Sequence, residues 1–291
     1  MSKATRNRSR NARERIAAQQ AAARKAEQRR RLLIVGGSVG LVLVIVVGFI
    51  VFKSLSKPAP PGASGSLPPS VASSITNVPA STLTSVGTGS LSTSNLPIKP
   101  ITGSALTSGG KPEMLYIGAE YCPYCAAMRW SMAVALSKFG TFGPLKGIHS
   151  STTDVYPNTP TLTFYKQKYT SKYLTFTPVE NLNGQHKVLE PVSKSQQALW
   201  KQYGTTNGSV GYPFIDFGNK TALYGPLYLP TMLHGLTWAQ VASKLKNPND
   251  PVAQAVDGAA NYMTASICKM TGGKPGNVCS APQIKALSGK V

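Results

Sequence analysis

The sequence predicts an α/β domain, a mixed sheet flanked by helices, preceded by a single transmembrane helix and a disordered linker. Three observations predict it. Residues Leu32 to Phe52 form an uncharged apolar run, residues 53–110 are dominated by Ser, Thr, Pro and Gly, and from Lys111 onward short β-type runs alternate with helical periodicity.

The chain has 291 residues and a formal net charge of +21, and its 42% hydrophobic content is enough for a genuine core. The charge is unevenly placed. Residues 1–31 hold eleven basic and two acidic residues, a net of +9; residues 111–291 hold seventeen and eight, also +9 but spread over a far longer stretch, with Arg129 as the only arginine. The run from Leu32 to Phe52 is twenty-one residues long. At about 1.5 Å per residue it spans roughly 31 Å, the thickness of a bilayer interior. Lys53 follows it in place of a small-residue cleavage pattern, so it reads as an uncleaved signal anchor. Arg24, Lys25, Arg29, Arg30 and Arg31 lie before the run and only Lys53 and Lys57 close behind it. That asymmetry places the N-terminus in the cytoplasm and the C-terminal domain outside the cell membrane. The basic arm 1–31 has no aromatic residue to stack on a base; it reads as a topology signal touching anionic lipid, and no nucleic acid is expected as a partner.

Residues 53–110 contain no aromatic, acidic or cysteine residue. On average such composition buries too little apolar surface to offset ordering entropy, and the segment reads as a disordered tether.

Within the domain expected at 111–291, Glu113–Gly118 reads as a buried strand and Ala126–Phe139 as a helix stopped by Gly140. Leu162–Tyr165 and Tyr173–Val179 read as strands, while 140–192 as a whole lacks helix periodicity and reads as an insertion. Ser193–Tyr203 reads as a helix capped by Ser193 and ended by Gly204. A strand from Phe214, a turn at Gly218-Asn219-Lys220 and a strand Thr221–Tyr224 form a hairpin. Thr237 with Gln240 resembles a capping box for a helix to about Lys246, and a longer helix runs from Pro251 to about Met270.

The four cysteines fall as a tight pair, Cys122 and Cys125, and a looser pair, Cys268 and Cys279. Strand, Cys-Pro-Tyr-Cys, helix places Cys122 at a helix N-terminus, where free N–H groups and the positive end of the dipole stabilise a thiolate. Cys122 is then a nucleophile, provided another protein can reach it; the bland alternative is an inert short disulfide. Cys268 and Cys279 bracket a turn-rich decapeptide and read as a structural disulfide, with a second redox pair as the alternative. His149, His186 and His234 lack metal-ligand spacing, and neither a metal nor a cofactor is expected. Asp216 is a candidate proton acceptor for Cys125 or, more simply, a turn-bonding carboxylate. Glu120 reads as loop surface. Met128 extends the motif to Cys-x-x-Cys-x-x-Met, a soft set that Cu(I) tolerates, or is simply core. Asn207 and Asn219 lie in glycosylation sequons, which are short and common.

The order strand, Cys-x-x-Cys, helix and, much later, a proline opening an antiparallel hairpin resembles the thioredoxin superfamily. More closely, YIGAEYCPYCAAMRW, GYPFID and the C-terminal Ile-Cys…Val-Cys pair are similar to a family of archaeal and bacterial membrane-anchored proteins of unknown function with a thioredoxin-like domain. The likeness covers roughly residues 105–285. It implies that Tyr212-Pro213 is a cis dipeptide lying against the cysteines, with a strand-edge proline as the plain alternative. It further implies thiol–disulfide exchange in which Cys122 attacks, Cys125 resolves and Tyr121, Pro123, Tyr124 and Tyr212 flank the pair. The implied partners are envelope or secreted proteins bearing thiols or disulfides, with the bilayer held through residues 32–52. Tyr121 stands where tryptophan is usual and Pro-Tyr replaces Gly-Pro, which leaves the activity less specified than the fold. A non-catalytic binding module and a copper chaperone are the alternative functions.

Overall fold

A computed structural model describes residues 65–91, 96–206 and 208–291. In chain order these form β1 (Gly65–Ser66), α1 (Pro69–Thr76), α2 (Ala80–Val86), β2 (Ile98–Pro100), β3 (Thr107–Ser108), β4 (Lys111–Gly118) and α3 (Pro123–Leu136). Then follow β5 (Gly140–Phe142), β6 (Lys146–His149), β7 (Pro160–Thr163), β8 (Tyr169–Ser171), β9 (Thr175–Glu180) and α4 (Lys194–Tyr203). The last part comprises β10 (Thr205–Thr206), β11 (Ser209–Val210), β12 (Phe214–Phe217), β13 (Thr221–Tyr224), a 3₁₀ turn at Pro230–Leu233, α5 (Trp238–Lys244), α6 (Pro251–Met270), α7 (Gly276–Cys279) and α8 (Pro282–Leu287).

The central sheet is mixed, in the order β2-β13-β12-β4-β9, with β3 pairing the start of β4. β4 runs parallel to β9, Met114 opposite Phe176 and Gly118 opposite Glu180, and antiparallel to β12, Ile117 opposite Phe214. Because side chains alternate along a strand, β4 serves two layers at once. Met114 and Tyr116 enter the large core with α3 and α6, whereas Leu115 and Ile117 pack with Trp200 of α4 and Phe214. This is why the run Met114–Ile117 is apolar throughout instead of alternating.

Helix α3 is buried on nearly every side, only Tyr124 among its residues retaining appreciable surface, and it packs on α6, where the Ser131 hydroxyl donates to the Val256 carbonyl at 2.8 Å. Ser193 caps α4 as expected, completing a capping box with Gln196, and the expected box of Thr237 with Gln240 forms at α5. The β12–β13 hairpin turns through Gly218 at φ 67° and Asn219 at φ 55°, left-handed values that glycine and asparagine tolerate best.

Two expectations need correction. Residues 65–91 and 96–110 are not a disordered linker: α1 buries Val71 and Ile75, α2 buries Leu83 and Val86, and Ile98 joins the same interior. Composition averaged over the segment hides these apolar residues, which recur at helical spacing. Asn261 of α6 completes the arrangement by donating to the Leu83 and Gly87 carbonyls, each at 2.8 Å, which satisfies the end of α2. The stretch 140–192, expected as an insertion, ends in β9, which lies directly beside β4 and so belongs to the central sheet. The expected span at 32–52, the basic arm 1–31 and residues 53–64 fall outside the described residues. Among the described residues no helix is long and apolar enough to cross a membrane.

Candidate redox site

β4 ends at Gly118, and the turn Ala119-Glu120-Tyr121 delivers Cys122 as the N-cap of α3, with extended backbone angles and Pro123 in the first turn. The Cys122 sulfur accepts the Cys125 backbone N–H at 3.2 Å, a capping bond made by sulfur where oxygen is usual. The two thiols are free, Cys125 fully buried and Cys122 retaining 5% of its surface. The reachable sulfur expected at position 122 is therefore a nearly covered one.

The two thiols are driven apart. Burial works to raise both. At Cys122 it is outweighed by hydrogen bonds from the Cys125 side chain, from the backbone at Cys125 and Tyr124, and by the Arg129 charge, and the thiol is lowered from its ordinary range. At Cys125 burial is reinforced by the hydrogen bond to Cys122 and by that sulfur's negative charge, and the thiol is pushed well up. The arrangement separates the two thiols, leaving Cys122 the more readily ionised and Cys125 the less.

The turn before Cys122 is tied on several sides. The Ala119 carbonyl accepts both Cys122 N–H at 3.2 Å and Arg129 Nη2 at 2.8 Å. Glu120 N–H donates to the Leu182 carbonyl at 2.8 Å, and Ser151 N–H donates to the Tyr121 carbonyl at 2.8 Å. The Glu120 carboxylate accepts the Thr163 hydroxyl at 2.6 Å. Glu120 is thus buried, not loop surface as expected, and burial raises its carboxyl above the ordinary range against the Thr163 hydrogen bond and the Arg129 charge.

Around the pair stand Tyr121, Tyr124, Leu182 and Tyr212. Tyr121 stacks on His186 with ring centres 3.8 Å apart and meets Tyr212 edge-on, and Tyr124 meets Tyr156 edge-on. The Tyr212-Pro213 bond is cis. Phe214, the next residue, pairs with Ile117, so Pro213 lies at the end of the sheet from which β4 leads into the cysteine turn. Tyr212 packs on the cysteine cluster on one side and on Trp200 on the other, ring centres 5.0 Å apart. Beyond Trp200 a cavity of about 380 Å³ is lined by Asn181, Val188, Val192, Trp200, Lys201 and Val210.

Beneath the pair lies an ion pair that sequence reasoning missed. Arg129 and Glu180 are both fully buried, with Nε–Oε1 at 2.8 Å and Nη2–Oε2 at 2.6 Å. Phe164 N–H donates to Glu180 Oε1 at 3.1 Å, and Glu190 accepts the Glu180 N–H at 2.8 Å. The available signal was that a solitary arginine sits inside an otherwise apolar helix.

The remaining candidates resolve differently. Asp216 pairs across the sheet with Leu115, on the face away from α3, and accepts Asn219 N–H at 2.6 Å; it is the turn-bonding carboxylate, pushed up to about 6 by burial. Met128 is fully buried core, its sulfur accepting Leu227 N–H at 3.4 Å. Among the described residues no group of three or more His, Cys, Asp or Glu is placed to hold a metal. Cys268 and Cys279 are disulfide-bonded, tying the end of α6 to α7. Asn219 is buried with its amide donating to the Ser104 carbonyl at 2.7 Å, which leaves it unavailable to a glycan; Asn207 lies outside the described residues.

A family model described as a domain of unknown function, DUF929, matches residues 98–269. No curated protein and no solved structure matches the chain.

Proposed function

We propose, from the premise that this chain belongs to the DUF929 family, that it is a thiol–disulfide oxidoreductase of thioredoxin-like fold, anchored in the cell membrane through residues 32–52 with its domain on the outer side. The observation that carries the reading is the pair of free cysteines at a strand–helix junction, Cys122 capping α3 by accepting the Cys125 N–H at 3.2 Å, an arrangement that lowers the Cys122 thiol and raises that of Cys125.

The chemistry balances without a further reagent. The Cys122 thiolate attacks one sulfur of a client disulfide; the Cys122–client S–S bond forms, the client S–S bond breaks, and its other sulfur leaves as thiolate. Cys125 then loses its proton and attacks the Cys122 sulfur, forming Cys122–Cys125 and releasing the second client sulfur. Two electrons pass from the pair to the client. Run backwards, the same steps oxidise a client dithiol. Tyr121, Tyr124 and Tyr212 line the approach, Pro123 starts the helix that presents the sulfur, and Pro213 sets the neighbouring strand end. The clients are envelope or secreted proteins, and no cofactor is required.

Replacing Cys125 by serine in the full chain should leave Cys122 able to attack but unable to be released, so mixed disulfides with clients accumulate and disappear on reduction. Absence of any such adduct, with the wild-type pair resisting reduction below about −300 mV, sinks the reading and leaves a structural bond.

A second reading, a binding module, is favoured by the cavity beside Trp200, whose rim carries the exposed apolar residues Val188 and Val210. It predicts partner capture that survives Cys122→Ser, whereas exchange does not.

A further inference from the structure

Arg129 is an unusual choice for its position. It lies on α3, one helical turn beyond Cys125 and about two beyond Cys122, and is fully buried. Replacing a buried ion pair by apolar side chains is commonly neutral or stabilising, so stability alone is a weak account of Arg129 and Glu180. Nor is the guanidinium fully engaged: Nε and Nη2 serve Glu180 and the Ala119 carbonyl, while Nη1 has no hydrogen-bond partner.

The groups around the sulfurs make that cation distinctive. From β4 comes Tyr116, from the turn Glu120 and Tyr121, from α3 itself Tyr124, from β9 and the segment after it Glu180, His186 and Glu190, and from before β12 Tyr212. These are phenols and carboxyls apart from the His186 imidazole, and Asp154 adds a further carboxylate near Tyr121 and Tyr124. Lys146 acts on Glu120 and Lys166 on Glu190, whereas the charge of Arg129 acts on both sulfurs. Its other contact is mechanical: the Ala119 carbonyl it holds also accepts the Cys122 N–H.

We propose that Arg129 is a positioning residue for exchange, fixing through the Ala119 carbonyl the turn that presents Cys122 and supplying the buried positive charge that favours its thiolate. Glu180 holds the guanidinium in place and tempers that charge. Since the thiolate exists only in the reduced pair, stabilising it makes the disulfide the readier electron acceptor, and Arg129 biases the site toward oxidising its clients. This rests on the exchange reading of the same cysteines.

The test uses the full chain in detergent with three variants: Arg129→Met/Glu180→Gln, which removes both charges, Arg129→Lys, and Glu180→Gln. Cys122 ionisation is followed by ultraviolet thiolate absorbance against pH, the redox equilibrium against glutathione, and folding by circular dichroism. The double variant should stay folded, raise the ionisation midpoint by about one pH unit, and shift the glutathione equilibrium about tenfold toward the disulfide, about 30 mV. Arg129→Lys should recover part of both shifts, and Glu180→Gln should move the midpoint the other way. A folded double variant with the wild-type midpoint and equilibrium overturns the proposal, as does a Glu180→Gln midpoint that stays put or rises. If the midpoints shift as expected yet Cys125→Ser traps no client, the exchange reading fails while the electrostatic role of Arg129 stands.

Discussion

The backbone N–H of Cys125 donates to the Cys122 sulfur at 3.2 Å, so the first cysteine caps the helix that carries the second. The bond ends on whichever form of Cys122 is present and is stronger to the thiolate, which ties reactivity to the integrity of the first turn of α3.

Selective and size-dependent alkylation should follow. Cys122 keeps 5% of its surface and Cys125 none. In the folded, reduced chain a small alkylating reagent should modify Cys122 at least about tenfold faster than Cys125, with a rate midpoint below the ordinary thiol value of about 8.5. A bulky aromatic disulfide reagent should react more slowly at Cys122 than its solution reactivity suggests, because Tyr121, Tyr124, Leu182 and Tyr212 crowd the approach. Peptide mapping of the labelled chain distinguishes the two sites; equal labelling defeats the expectation.

Asp257 on α6 is fully covered, neither carboxylate oxygen has a hydrogen-bond partner, and burial pushes its carboxyl up to about 8 against the opposing charge of Lys138. A carboxyl raised in the folded state above its unfolded value of 3.8 favours folding while it is protonated. Its contribution is lost progressively as pH rises from about 4 to about 8. Asp257→Asn should therefore raise stability at pH 8 by on the order of 1–3 kcal/mol and do little at pH 4. Thermal melts of both chains at the two pH values check the sign.

Ile75 of α1 is fully buried in the same core as Trp130 and Val256. Ile75→Ala should cost about 2–4 kcal/mol, as for any aliphatic side chain in a well-packed interior, and a chain begun at residue 111 should bind a hydrophobic dye and melt without cooperativity. Were residues 65–91 a loose tether, both changes would be silent.

The disulfide between Cys268 and Cys279 closes a loop eleven residues apart in sequence. Replacing both by serine should lower stability by about 3 kcal/mol in denaturant unfolding. Trapping of clients by Cys125→Ser should be unaffected, because Cys122 and Cys125 are free and make no bond to the second pair.

What could be read from the chain was what local chemistry decides. Ser193 with Gln196, Thr237 with Gln240, Gly218-Asn219 and the cysteine spacing each act within a few residues, and each element formed where those residues place it. The Arg129–Glu180 pair joins residues fifty-one apart and exists only because β9 lies parallel to β4. Glu120 found Thr163 across forty-three residues in the same way. Residues 65–91 and 96–110 differ from the expected tether for a related reason: their few apolar side chains pack on elements distant in sequence, α1 on α3 and α5 and α2 on α6, where Asn261 closes the end of α2.

The turn holding Cys122 is bolted to Leu182, Ser151, Thr163 and Arg129 before any client arrives. Such a bracket has little left to rearrange as charge gathers on the sulfur, which favours speed, but it also has little give. Under the exchange reading, the bending that brings two sulfurs into line would come from the visiting chain, and that reading predicts that nascent or loosely folded polypeptides are better clients than cysteines locked in finished domains.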